Sequence, residues 1–164
     1  MKNYVYIIAS LPQLSLDYKF TDKTFEEFVT EIRNLCDNSD IKLLDTLTDG
    51  YKDDNLNEEF YRRAVSHHNK FIREYYRFDL NMRNAKVRYL NEALSMPIDK
   101  DVMPVDGGLF EEAEQVDMVL NRSDILARER GLDEITWAKM DEMTRLHYFD
   151  MDVILAFIVR LHII

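Results

Sequence analysis

From Asn57 to Leu94 a line of mostly aromatic and aliphatic residues recurs at alternating steps of three and four: Tyr61, Ala64, His68, Phe71, Tyr75, Phe78, Met82, Ala85 and Tyr89. That spacing keeps side chains on one side of a helix. No Gly or Pro interrupts the stretch, so the pattern predicts one long helix over 57–94, roughly 57 Å at about 1.5 Å per residue. A second line follows another side: Arg63, Ser66, Lys70, Arg73, Arg77, Asn81, Asn84 and Arg88. It holds cations, amides and a hydroxyl, and no acid. Two readings fit it. It is the solvated or bracing face of an antiparallel helix pair, or it is a surface offered to a protein partner. In the second reading Arg63, Lys70, Arg73, Arg77, Asn81, Asn84 and Arg88 are the contact residues.

The rest of the chain is patterned in shorter pieces. Tyr4 to Leu11 is an apolar run closed by Pro12, either a buried strand or a short buried helix. Thr24 and Glu27 have capping-box spacing, and Phe25, Phe28, Val29, Ile32 and Leu35 form one apolar face behind them. Ile41, Leu44 and Leu47 line the next helix, with Gly50 as its stop. Met96 to Gly108 holds Pro97, Pro104, Gly107 and Gly108 and predicts a loop longer than most helix–helix connections. Leu109 to Asn121 reads as a helix. Ser123-Asp124 caps a short segment that Gly131 stops, and Asp133-Glu134 opens another helix through Trp137, Met140 and Thr144. Asp150 or Asp152 caps a last helix over 153–164, apolar almost all round and so central or covered. The apolar pattern is still running at Ile164, which predicts either a natural chain that continues past it, the favoured reading, or an end covered by a partner.

Together these elements predict an all-α fold: an elongated helical bundle built around the long helix at 57–94. It reads as a single helical domain over 1–164, with a hinge loop at 96–108 between lobes 1–95 and 109–164.

The 164 residues carry a net charge of −10, but residues 61–95 have an excess of cations between two acidic flanks. Internal charge pairing follows first. Nucleic acid is not an expected partner, because counterion release needs a net basic surface. Cys36 is the single cysteine, which excludes an internal disulfide and a Cys-based zinc site. The longest apolar stretch, Val153 to Val159, is far short of the roughly 20 residues that span a bilayer. The expected location is cytoplasmic, with no direct membrane span.

Candidate chemistry is thin. A ferritin-like site needs Glu three residues before His, and here those positions hold Ala64, Val65, Thr144 and Val159. His147 with Asp150 and Asp152 reads as a helix cap with an ion pair, a metal site being the alternative. His68 reads as a packing histidine. Cys36 follows an apolar face without a cationic setting and reads as inert. Tyr75 and Tyr76 with Phe71 and Phe78 read as core rather than a ligand box. No catalytic residue, cofactor or metal is expected.

Two stretches carry a resemblance. Asn84-Ala85-Lys86-Val87-Arg88 is similar to the Asn-Ala-Arg-Val-Arg helix signature of the C-type stalk subunit of V-type (A-type) ATPases, with Lys for the first Arg. The wider chain resembles an uncharacterised bacterial family encoded in V-type ATPase operons. There Tyr4 to Leu16, with Ala-Ser-Leu-Pro-Gln-Leu-Ser-Leu, is similar at the start, and Trp137 to Leu161, with His-Tyr-Phe-Asp, is similar late in the chain. The resemblance implies a non-catalytic stalk adaptor or accessory subunit between rotor shaft and membrane ring. Its partners would be other ATPase subunits, the central stalk and membrane ring, holding it peripherally at the inner membrane. The chain is about half the usual size of that stalk subunit and lacks its threefold repeats. A stand-alone helical scaffold with an unrelated partner is the second expectation, and a helical enzyme the third.

Overall fold

The structure is a computed structural model that describes residues 2–164. Among the described residues there are eight α-helices, one 3-10 turn and no strand, so the fold is all-helical. The helices are α1 (Tyr4–Ser10), α2 (Phe25–Leu35), α3 (Asn38–Asp49), α4 (Glu58–Ala64), α5 (Lys70–Ala93), α6 (Ala113–Leu120), α7 (Ile125–Met143) and α8 (Met151–Ile163). The chain divides into two compact units, Met1–Leu47 with Thr136–Ile164, and Thr48–Ile135.

The first unit is built on α8. Ile154 through Val159 and Leu161 are all buried, as expected of a helix apolar almost all round. Asp150 caps it, accepting from the Val153 N–H. α1 and α2 pack against it, with the Phe28 and Phe157 rings 5.9 Å apart, edge to face. The α2 capping box forms as its sequence specifies: Thr24 accepts from the Glu27 N–H, and Glu27 accepts from the Thr24 N–H. Tyr4–Ser10 is helix with Leu11 as its extended C-cap, but Ile7 is its one buried residue and Val5 and Tyr6 are exposed. The run is therefore half-open rather than buried.

The second unit is built on α5. Phe78 and Met82 share a core with Val116, Val119 and Leu120 of α6 and Leu132 and Ile135 of α7. Gly131 sits inside α7 and does not stop it as expected. A Cβ there would stand 2.7 Å from Val119 Cγ1, so the glycine is a close-approach point between α6 and α7. α6 begins at Ala113 rather than Leu109, with Phe110 packed on the same core.

The expected single helix over 57–94 is broken at 65–69. α4 doubles back on α5, placing the Phe60 and Tyr76 rings 5.1 Å apart and burying Phe60, Tyr61 and Ala64. A straight rod would leave those three side chains in water. Burying each large one stabilises the turn by about 1.5–3 kcal/mol, more than the few backbone hydrogen bonds lost at the corner. His68 lies in that corner and is exposed, so it is not a packing residue of an aromatic seam. Its ring stacks on His67 at 4.4 Å.

The division into lobes also runs elsewhere than expected. The loop at 96–108 lies wholly inside the second unit, and the reason is the set of bonds that α5 makes to it.

Candidate partner-binding site

From Lys70 to Arg88 the basic-amide stripe is one face of α5, while Arg63 falls on α4 and Ser66 in the corner, and most of the stripe is engaged by the chain itself. Asn69 caps the helix, accepting from the Ile72 N–H. Arg73 Nη1 donates to His67 O at 3.0 Å and His68 O at 3.5 Å. Arg77 Nε donates to Val65 O at 3.0 Å. These two arginines hold the carbonyls of the 65–69 corner, which have no helical partner there.

Further along, the stripe grips the loop. Asn81 Nδ2 donates to Gly107 O at 3.3 Å. Asn84 Nδ2 donates to Met103 O at 3.2 Å, and its Oδ1 accepts from Met103 N at 2.9 Å. Arg88 Nε meets Asp99 Oδ1 at 3.2 Å. Asn84 is buried and Asn81 half-buried. Gly107 is needed because a Cβ would stand 2.4 Å from Asn81 Oδ1. Arg63 and Lys70 are exposed at the two ends of the corner. The structure thus engages five of the seven predicted contact residues within the chain: Arg73, Arg77, Asn81 and Asn84 brace neighbouring backbone, and Arg88 pairs with the Asp99 side chain.

One member of the brace lies beyond Arg88, the last residue of the stripe. Asn91 is buried and donates through Nδ2 to Ile98 O at 2.9 Å and Lys100 O at 2.7 Å. The signal is present in the spacing: the steps 81, 84, 88 continue to 91.

The remaining candidates are placed as follows. His147 Nδ1 lies 2.5 Å from Asp150 Oδ2 and 3.6 Å from Asp152 Oδ2, at the capped start of α8. Among the described residues no group of three or more His, Cys, Asp or Glu side chains is arranged to hold a metal. Burial, with Asp40 and then Asp37 nearby, pushes the Cys36 thiol up to about 11, which keeps it protonated and unreactive near neutrality. Phe71, Tyr75, Tyr76 and Phe78 are all buried and form core. Buried Tyr61 donates to half-buried Asp79 Oδ2 at 2.8 Å, a polar pair between α4 and α5 that no spacing in the sequence announces. In the first unit Asp40 is buried and accepts from Tyr4 and Lys2 at 2.9–3.0 Å, tying the start of the chain to α3.

Residues 106–164 match a family model. Its description is protein of unknown function (DUF2764). The match covers less than half of the chain, includes the Trp137–Leu161 block and leaves the α5 stripe outside. No curated protein and no solved structure matches the chain. No helix among the described residues is long and apolar enough to cross a membrane.

Proposed function

We propose that this chain is a non-catalytic subunit or accessory protein of a V-type (A-type) ATPase. In this reading it is an adaptor between rotor shaft and membrane ring, like the C-type stalk subunit, supporting proton or sodium transport. The observation that carries the reading is the ordered resemblance of Tyr4–Leu16, Asn84–Arg88 and Trp137–Leu161. The last block falls inside the stretch that matches a family of unknown function, and the all-helical fold agrees with that of the stalk subunit. The test is affinity purification of the native protein from its own cells, read by mass spectrometry. Rotor, catalytic or membrane-ring subunits should co-purify. Their absence, with the ATPase recovered intact from the same cells, would overturn the reading.

One observation favours a stand-alone adaptor with an unrelated partner. Asn84 and Arg88 of the ATPase-like signature are both bonded to the chain's own loop, so local folding accounts for them without an ATPase neighbour. The same purification separates the two readings by the identity of what is recovered.

A further inference from the structure

The sides of α5 are covered by different neighbours. Its aromatic side packs on α6 and α7, and its amide side lies under the 96–108 loop. A third line keeps helical spacing between them: Ile72, Tyr76, Asp79, Arg83, Lys86, Leu90 and Leu94. Its first half is covered by α4. Ile72 and Tyr76 are buried, and Tyr61 of α4 is bonded to Asp79. α4 is only seven residues long, so its cover runs out there.

Beyond that point no helix covers the line. Arg83 and Lys86 are exposed, although Arg83 also touches the Tyr61 hydroxyl and faces Asp79, and Lys86 faces Asp79 and Asp133; Leu90 is 55% exposed and Leu94 64%. Met96 and Ile98 extend the apolar end, 42% and 49% exposed. Both are fixed there by Asn91, whose carbonyl accepts from Met96 N at 2.8 Å and whose amide donates to Ile98 O. From Arg83 to Leu94 the track is about 16 Å, three helical turns. Leucines four apart on an ordered, well-anchored helix present the spacing that a second helix packs against.

The geometry points to a docking track for one acidic amphipathic helix of a partner protein, lying in line with α4 along Arg83, Lys86, Leu90 and Leu94. Its apolar residues would meet Leu90, Leu94 and Met96, and its carboxylates would meet Arg83 and Lys86. Charge selects this occupant. A second copy of the chain, paired in register or reversed, would bring Arg83 and Lys86 onto their own kind or onto leucines. Glu92 points to another side of the helix, and Asp99 is already held by Arg88. An anionic lipid surface would meet exposed Asp99 and Asp101 beside the apolar end, which repel it. The track stands on the geometry of α5 alone and does not depend on the ATPase reading.

The test is site-specific photo-crosslinking in the native cells, using the full chain with p-benzoylphenylalanine in place of Leu94. The expected product is an adduct with a helical segment of another protein that carries Asp or Glu beside its apolar face. With R83E/K86E its yield should fall about tenfold, the worth of two exposed ion pairs. Thermal melts check folding. R83Q/K86Q, which removes the charges without reversing them, must also lower the yield, and serves if the reversed variant unfolds. An adduct with lipid, with a second copy or with a segment lacking acids overturns the proposal. So does no adduct, or a yield indifferent to the charges. An acidic helix captured from a protein outside the ATPase upholds the track and leaves the ATPase reading to the purification. ATPase subunits co-purifying without a Leu94 adduct uphold the ATPase reading and overturn the track.

Discussion

Asn84 and Met103 form a closed two-bond ring. The Asn84 amide donates to the Met103 carbonyl at 3.2 Å and accepts from the Met103 N–H at 2.9 Å, as an adjacent strand would. A loop segment that has no sheet or helix to satisfy its backbone borrows a side chain for both jobs. Asn84→Ala removes both bonds at a buried site. The cost should be about 1–3 kcal/mol, a fall in Tm of about 3–10 °C for a chain of this size. Limited proteolysis should then cut between 96 and 108. Arg88→Ala is the contrast, since Arg88 and Asp99 are both well exposed and such pairs contribute about 0–1 kcal/mol. Equal effects of the two substitutions would sink the idea that the amides, and not the charges, hold the loop.

α5 ends in a Schellman motif. Met96 N donates to Asn91 O and Ser95 N to Glu92 O. The motif needs a left-handed residue, and Ser95 occupies it at φ 55. A Cβ there is strained by about 1–2 kcal/mol, which glycine does not suffer. Ser95→Gly should therefore raise Tm by about 2–4 °C, although glycine in most helical positions lowers it. A calorimetric scan that shows a fall would mean the motif does not form.

Gly50 follows α3 and faces Tyr76. A Cβ built on it would sit 2.1 Å from the Tyr76 hydroxyl oxygen. Tyr76 is buried between Phe60 and Tyr61, so it has little room to yield. Gly50→Ala should destabilise by about 1–3 kcal/mol, as overpacked cores do. Gly50→Ala with Tyr76→Phe, which removes the clashing oxygen, should recover part of the loss in a urea melt. No loss in the single variant would remove the contact from the account.

Asp79 is held at a raised pKa by its burial, against the Tyr61 hydroxyl and the charges of Arg83 and Lys86, which lower it. A raised folded value means that the folded state binds the proton more tightly than the unfolded chain does. The stabilisation is full below the ordinary carboxylate range, near about 4, and is lost as pH rises through the folded value. Asp79→Asn keeps an acceptor for Tyr61 and stays neutral. Its Tm should exceed the parent's at pH 7 and converge with it near pH 4. A lower Tm at pH 7 would show that the charge itself is needed.

What the sequence by itself determined lies within a turn or two along the chain. The Thr24–Glu27 box, an aspartate cap on α8 at 150 or 152, the buried faces of α2 and α8 and the all-helical class all depend on residues within a few positions of one another. The stripe on α5 is legible for the same reason, and so is its further member Asn91. Its use was not legible, because an amide that braces a loop and one that meets a partner have the same spacing. Only the tertiary structure decided that Asn81, Asn84 and Asn91 reach carbonyls 7 to 26 residues away. It also decided the break at 65–69, where no Gly or Pro forbids a helix and the burial of Phe60 and Tyr61 against Tyr76 outweighs a straight rod. Gly131 continues α7 because Val119 needs the space, and the two units divide at 47–48 and 135–136 because packing, not loop length, sets where a chain comes apart.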